Sequence, residues 1–304
     1  MSSLERSEAR GLGLVAFSTL AYGLLPILGK VAYGAGARPL PLLAWRFVVA
    51  ALLLALLVRG SRPPLRESVR LWALGGVYVF NSVAYFRALE TVPASVTSLV
   101  LFTYPMMVAV LAALVGLERL TVRSVLAALA AFAGCALTAS GAPLGGRFPL
   151  SGIAWALGAA LVYACYLVLS SRFAVGVPAR VLALHLAEVA ALVSVGLALA
   201  GGGLALPADP RAWLSVLGIG VVSTVVSTIA FLAGMAVIGP LRASVLSSLE
   251  VIVTLTLAAT LLGERLSPRQ WLGAALILGA VAWQTRAAVL QLARRAPAGI
   301  MPAR

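Results

Sequence analysis

The chain has 304 residues, of which 62% are hydrophobic and only 11% are charged, and its net charge at pH 7 is +14. A soluble domain carries about 25% charged residues, so this composition excludes an ordinary soluble fold and indicates an integral membrane protein. The positive charge does not predict a nucleic-acid partner, because the arginines lie between apolar segments, where they act as topology signals.

Ten apolar segments follow one another along the chain. Each is long enough to cross a hydrocarbon core of about 30 Å at a helical rise of about 1.5 Å per residue. We therefore predict an all-α integral membrane protein with ten transmembrane helices. The predicted spans are 11–34, 40–59, 70–90, 93–115, 122–141, 150–171, 178–200, 211–236, 240–262 and 269–289.

The distribution of lysine and arginine predicts the orientation of these spans. One side of the membrane receives 15 of these residues and the other side 6, if the ten spans are correct. Because cytoplasmic loops carry the excess of positive residues, both termini are expected in the cytoplasm. The expected location is the bacterial inner (plasma) membrane, as a multi-pass protein.

One phrase occurs twice, as GLERLTVR at 116–123 and LGERLSPR at 262–269, which places Glu118 and Glu264 146 residues apart. Upstream, PASVTS at 93–98 resembles RASVLSS at 242–248. The chain is thus predicted to consist of two five-helix repeats, 1–146 and 147–304. Since five is odd, the second repeat would be inverted in the membrane. Inverted repeats are typical of alternating-access transporters.

The repeated phrase also has a local interpretation as a tight turn between two helices. Ser267 is expected to cap the last span and Pro268 to be its first helical residue. For Glu118 and Glu264 we favour structural anchoring over direct transport chemistry, because the inversion would place the two turns on opposite sides of the membrane.

The duplicated five-helix unit with its GERL-type turn resembles the EamA-type drug/metabolite transporters, over roughly residues 10–288. The resemblance implies export or exchange of small metabolites, often amino acids, without ATP. The chain departs from the family pattern at Val251, where many relatives have proline. The equivalent site in the fourth span keeps Pro105, so a hinge role is expected for Pro105, and for Pro26 in the first span.

Polar residues inside the spans are the best indicators of a pathway, because burying them in hydrocarbon is costly. Tyr78, Asn81, Ser82 and Tyr85 lie at i, i+3, i+4 and i+7 and so share one helix face. Their partners in the eighth span at the same offset are Thr224, Ser227, Thr228 and Phe231. Both stripes could line a cavity, or they could make ordinary interhelical hydrogen bonds. The complete predicted set of cavity residues is Tyr22, Lys30, Tyr78, Asn81, Tyr85, Tyr104, Tyr163, Tyr166, Ser227, Ser244 and Glu250.

Several charged or titratable positions near or within the spans have more than one interpretation. Lys30 could hold a substrate carboxylate or extend its ammonium group to the membrane surface. Glu250 could bind a substrate ammonium group, carry a coupling proton, or form hydrogen bonds as a neutral acid. His185 and Glu188 could relay protons or pack as a neutral pair. Arg46, next to Trp45, is expected in the interfacial belt.

The function predicted from these features is secondary transport, through a cavity formed by the first four spans of each repeat. The chain lacks a GxxxxGK[ST] phosphate loop and any constellation typical of an enzyme. No cofactor or metal is expected. The tyrosines favour neutral or aromatic amino acids, as in the aromatic-amino-acid exporters of the resembling family. The alternative is export of lipophilic drugs or cations, with Glu250 as counter-ion. The expected partners are the small-molecule substrate and the lipid bilayer. The protein is expected to be a monomer.

Overall fold

The structure, a computed structural model, describes residues 3–58, 63–116, 122–140, 148–174, 176–238, 243, 246–247 and 249–295. Within these ranges the chain forms helices and no β-strand. In chain order the elements are α1 (Ser3–Gly34), α2 (Pro39–Leu57), α3 (Leu65–Thr91), α4 (Ala94–Leu101), α5 (Tyr104–Leu114), α6 (Val122–Ser140), α7 (Leu150–Phe173), α8 (Ala179–Ala200), α9 (Pro210–Leu217), a π-helical segment (Gly218–Val226), α10 (Ser227–Ile238), α11 (Leu249–Leu261) and α12 (Pro268–Arg295).

Five of the described helices are long and apolar enough to cross a membrane. They cover Ala9–Gly34, Pro39–Leu57, Leu150–Ser170, Ala179–Ala200 and Pro210–Ile238, and shorter apolar helices cover Ala94–Val108 and Leu249–Leu261. The prediction of an all-helical, multi-pass membrane protein is confirmed at this level. Several helices exceed the predicted spans, as α1 and α3 begin earlier and α12 ends later. Backbone hydrogen bonding continues past the ends of the apolar runs.

Proline marks many helix starts, because its missing N–H would have no partner in the first turn. Pro39, Pro210 and Pro268 are first residues of α2, α9 and α12. At α12 the Ser267 N–H donates to the Gln270 side-chain oxygen at 2.7 Å, and the Gln270 N–H faces the Ser267 hydroxyl at 3.4 Å. This reciprocal pair is a capping box, which confirms the prediction for Ser267 and Pro268.

The helices α5 and α11 are both followed by a glycine in the left-handed region of backbone space. Gly116 has a φ of 73° after α5, and Gly263 has a φ of 66° after α11. Glycine adopts this conformation without the steric cost of a Cβ. The two turns predicted from the repeated phrase therefore both start with a helix stop of the same kind. Glu118 itself lies outside the described residues.

The fourth predicted span, 93–115, is not one continuous helix. Pro105 has no N–H to donate to the Leu101 carbonyl, so α4 ends at Leu101 and α5 begins at Tyr104. Between them the Thr103 N–H donates to the Val100 carbonyl at 3.1 Å, a tighter i→i−3 turn.

The eighth predicted span is helical throughout but changes type in the middle. Residues Gly218–Val226 form a π-helix between α9 and α10. The Thr224 hydroxyl donates to the Ile219 carbonyl, five residues back, at 2.8 Å. π-helical segments are rare and occur frequently at functional sites.

The principal helix pairs join the two parts of the chain to each other. α1 packs on α10, α2 on α8, α3 on α7 and α6 on α12. The α6–α12 contact depends on glycine, because a Cβ at Gly134 would lie 2.7 Å from the carbonyl oxygen of Gly273. Small residues allow transmembrane helices to approach this closely.

Candidate functional site

A cavity of about 80 Å³ lies between helices from both parts of the chain. Its walls come from α1, α2, α3, the α4–α5 break, α7, α10 and the start of α11, and no described residue of α6 or α12 lines it. Seven of the predicted cavity residues contribute to the lining: Tyr22, Tyr78, Asn81, Tyr85, Tyr104, Tyr163 and Glu250. The i, i+3, i+7 spacing on α3 therefore brought Tyr78, Asn81 and Tyr85 to one surface.

A series of tyrosine rings, here called the tyrosine wall (Tyr78, Tyr104, Tyr163 and Tyr166), borders the cavity. The ring centroids of Tyr78 and Tyr166 are 5.4 Å apart, those of Tyr166 and Tyr163 are 6.0 Å apart, and those of Tyr163 and Tyr104 are 4.8 Å apart. These separations are typical of favourable aromatic pairs. Tyr166 does not line the cavity itself but packs against Tyr78 and Tyr163, which do.

Hydrogen bonds hold the other polar lining residues in place. The Tyr22 and Thr228 hydroxyls are 2.9 Å apart, which joins α1 to α10. The Tyr85 hydroxyl lies 3.1 Å from the Ser98 hydroxyl. The Asn81 amide donates to the Ala159 carbonyl on α7 at 2.9 Å. Each of these side chains is fixed by a contact with a different helix, so the cavity surface is largely preorganised.

Glu250 brings a carboxyl group to the cavity surface near the start of α11. None of the ion pairs that the described residues form includes it. Ser247 lines the cavity one turn earlier in the chain. An unpaired carboxyl group in an aromatic-walled cavity can accept a hydrogen bond from a ligand cation or exchange a proton.

Arg46 is the lining residue that sequence reasoning placed wrongly. It is not in the interfacial belt: only 2% of it is exposed, and it lines the cavity. Its Nε–H donates to the Thr224 hydroxyl at 2.9 Å, and its guanidinium carbon lies 4.5 Å from the Phe47 ring centroid. The signal that could have found it is its position on the α2 face that carries Leu42 and Ala50, both buried.

Lys30 lies outside the cavity, at the end of α1 nearer to the α11–α12 turn. It is half-buried, and the nearby charge that acts on it is that of Glu264. Glu264 in turn accepts hydrogen bonds from the N–H groups of Ala94 and Ser95, at 2.9 and 3.1 Å. This arrangement agrees with the structural role expected for Glu264.

His185 and Glu188 lie at the contact between α8 and α3, away from the cavity lining. The His185 Nδ1–H donates to the Val181 carbonyl at 2.8 Å, and its Nε2 lies 3.1 Å from the Ser68 hydroxyl. The Trp72 indole N–H donates to the Glu188 carboxylate at 2.8 Å. The structure brings each of the two predicted coupling residues to α3 but does not bring either to the cavity.

Two further predicted residues that the structure describes do not belong to the cavity lining. Ser227 is fully buried at the start of α10, and Pro26 lies inside α1. Ser244 lies outside the described residues. Within the described ranges, no group of three or more His, Cys, Asp or Glu residues is positioned to hold a metal ion.

Comparison with known proteins assigns the chain to a family. The model of the EamA-like transporter family matches residues 9–140 and, a second time, residues 150–285. The chain belongs to this family. As an EamA-like protein it is a membrane transporter, and the family is one of transporters rather than enzymes.

Individual relatives agree with this assignment. The chain is 29% identical over 286 residues to the uncharacterized transporter YcbK of Bacillus subtilis (strain 168), covering 88% of this EamA-like chain and 90% of YcbK. A protein of known crystal structure is similar with a TM-score of 0.66 at 22% identity, covering 90% of this chain and 98% of the other. This second likeness concerns the fold alone.

Proposed function

We propose that this EamA-like protein is a secondary transporter that exports neutral or aromatic amino acids, or related small metabolites, from the cytoplasm. The observation that carries the proposal is the cavity between helices of both matched ranges, with its aromatic surface and the carboxyl group of Glu250. Aromatic surfaces with a few oriented polar groups are typical of small-molecule sites.

We further propose that the two matched ranges correspond to inverted five-helix repeats, divided near residue 146, in a ten-span protein with both termini in the cytoplasm. The helix pairs support this. If α1 corresponds to α7 and α3 corresponds to α10, the α3–α7 contact is the counterpart of the α1–α10 contact. The same correspondence maps the α2–α8 and α6–α12 contacts onto themselves. The excess of arginine in the predicted cytoplasmic loops supports the orientation.

Transport by alternating access then requires the cavity to open to each side in turn. At about 80 Å³ the cavity is smaller than ordinary ligand pockets of about 300 Å³ or more. An aromatic amino acid would therefore bind only after the surrounding helices separate. Pro26 within α1 and Pro105 at the α4–α5 break are the proposed hinges, because both lack a backbone hydrogen bond that would stiffen the helix.

Glu250 is our principal candidate for proton coupling, because it is the candidate that lies at the cavity. Coupling through His185 and Glu188 stays a prediction of the sequence. Export of lipophilic cations is the alternative function, with Glu250 as counter-ion. Arg46 in the same cavity argues against it, because a second cation would be repelled there.

The test is counterflow of radiolabelled phenylalanine in proteoliposomes, with and without a pH gradient. We expect saturable flux that a gradient stimulates, and loss of that stimulation in Glu250→Gln. The matched control is Glu90→Gln, since the Glu90 carboxylate is partly exposed and pairs with Arg87. It should behave like the wild type. Absence of saturable flux for any amino acid, together with transport of a lipophilic cation, would favour the alternative function.

A further inference from the structure

Arg46 has a property that the proposed function does not use: it is a deeply buried cation without a described anionic partner. Only 2% of Arg46 is exposed, and no ion pair among the described residues includes it. We infer that Arg46, oriented by Thr224, forms a carboxylate-binding subsite of the cavity. The inference rests on the proposed function to the extent that it takes this cavity as the substrate site.

Insertion scales penalise an arginine at the centre of a membrane helix, and Arg46 is a buried charge inside α2. Cation–π contact with Phe47 and Phe86, whose ring centroids lie 4.5 and 5.4 Å from the guanidinium carbon, offsets part of that cost. It supplies no negative charge. A ligand carboxylate would supply one beside Arg46, which forms no ion pair among the described residues.

A hydrogen bond to Thr224 holds the Arg46 guanidinium group in one orientation, as is typical of a binding group. The Thr224 hydroxyl donates its proton to the Ile219 carbonyl at 2.8 Å, so towards Arg46 its oxygen acts as an acceptor, and the Arg46 Nε–H donates to it at 2.9 Å. The π-helical segment makes the first of these bonds available, since it brings the residue five positions back into reach. Fixing Nε in this way orients the planar guanidinium and lowers the entropy cost of binding.

The helix that carries Thr224 also approaches α2 closely at this level. A Cβ at Gly220 would lie 3.1 Å from the backbone carbonyl oxygen of Arg46. The π-helical segment and the α2 backbone around Arg46 are therefore in close contact. Tyr78 lines the same cavity as Arg46. The terminal guanidinium nitrogens suit a planar, bidentate carboxylate.

The positions of Arg46 and Glu250 predict how a ligand with one negative and one positive group is oriented in the cavity. Both line the same cavity without forming an ion pair, and Tyr85 is close enough to interact with both charges. A zwitterion could place its carboxylate at Arg46 and its ammonium group at Glu250, with an apolar side chain against the tyrosine wall. Lys30, the carboxylate partner considered from the sequence, lies near Glu264 instead.

The test uses three related probes on the purified full-length protein in detergent. Phenylalanine carries both charges, 3-phenylpropionate carries only the carboxylate, and phenethylamine carries only the ammonium group. Ligand-induced increases in Tm give apparent Kd values for each probe, and counterflow of phenylalanine is measured in parallel. The variants are Arg46→Lys, which keeps the charge but not the planar fork, and Thr224→Val, which removes the oxygen that accepts from Nε. Arg87→Gln, at a partly exposed arginine, is the control.

We expect 3-phenylpropionate to stabilise the wild type and the control. In Arg46→Lys its apparent Kd should rise about 10- to 100-fold, the equivalent of losing a hydrogen bond to a charged group. The rise should be smaller in Thr224→Val, and the Kd for phenethylamine should not rise in either variant. Arg46→Lys keeps the positive charge, and Thr224→Val keeps the size of the side chain. A variant whose unliganded Tm lies near that of the wild type is therefore taken as folded.

The outcomes separate this inference from the proposed function. Saturable phenylalanine flux with an unchanged Kd for 3-phenylpropionate in both variants would overturn the carboxylate subsite and leave amino-acid transport standing. Arg46-dependent stabilisation by 3-phenylpropionate without amino-acid flux would support the subsite and overturn the proposed substrate. Failure of both carboxylate probes to stabilise the wild type would overturn the subsite.

Discussion

Replacing Glu264 with alanine should destabilise the protein, although the residue lies outside the cavity. The Glu264 carboxylate accepts from the Ala94 N–H at 2.9 Å, the Ser95 N–H at 3.1 Å and the Ser95 hydroxyl at 2.6 Å. The residue preceding α4 is Pro93, whose side chain cannot cap a helix. A residue 170 positions away in the chain therefore performs the capping.

The expected magnitude follows from these contacts. Loss of an ordinary N-cap costs about 1 kcal/mol, and hydrogen bonds to charged groups contribute about 1.5–3 kcal/mol each. Because the three bonds share one carboxylate, they are not additive. We expect a decrease of about 2–4 kcal/mol in the free energy of unfolding for Glu264→Ala. For Glu264→Gln, which keeps one acceptor oxygen, we expect about half of that decrease.

Denaturation of the protein in detergent micelles, followed by tryptophan fluorescence, measures this difference. Glu90→Ala is the control, because Glu90 forms a partly exposed ion pair with Arg87 at 3.1 Å, and such pairs contribute about 0–1 kcal/mol. If Glu264→Ala and Glu90→Ala reduce stability equally, the capping argument is wrong. Glu264→Gln keeps one of the two carboxylate oxygens. If it lowers the stability as much as Glu264→Ala does, the capping depends on the oxygen that Glu264→Gln removes.

Two further predictions concern helix packing and a loop. Gly134→Ala should lower the Tm through the 2.7 Å approach to the Gly273 carbonyl oxygen, whereas Gly279→Ala, with open space around its Cβ, should leave the Tm unchanged or raise it slightly. The hydrogen bond from the Arg211 side chain lowers the pKa of Asp209. The contribution of Asp209 to the stability of the folded state is therefore present above the unfolded-state pKa of about 3.9, and it is lost as the pH falls through the folded-state pKa. The Tm difference between wild type and Asp209→Asn should therefore be small at neutral pH and vanish in acid; a difference that grows in acid would contradict the assignment.

The sequence predicted those features that depend on local spacing. The helical class, the N-cap at Ser267 and the common face of Tyr78, Asn81 and Tyr85 all follow from residues within two turns of one another. The structural anchoring expected for Glu264 agrees with its hydrogen bonds to the start of α4. Its capping partners, Ala94 and Ser95, could not be predicted, because nothing local to either segment records a contact across 170 residues.

Arg46 and the π-helical segment show where that reasoning fails. An arginine a few residues into an apolar span can extend to the surface or turn inward, and its position in the sequence alone does not distinguish the two. The partner that turns it inward, Thr224, is 178 residues away. The change from α- to π-helix leaves no periodic signal in Gly218–Val226, since that segment is almost uniformly apolar or small.

The pairing of α1, α2, α3 and α6 with later helices also constrains how the protein is made. When α2 first enters the bilayer, the rest of the chain that will surround Arg46 has not yet been synthesised. The arginine must meanwhile stay near the lipid headgroups or draw water into the membrane, at the cost that insertion scales assign to it. It can take its buried position only when the Thr224 segment emerges from the ribosome. Membrane insertion and tertiary assembly are thus separate events for this chain, and the second one waits for almost the entire sequence.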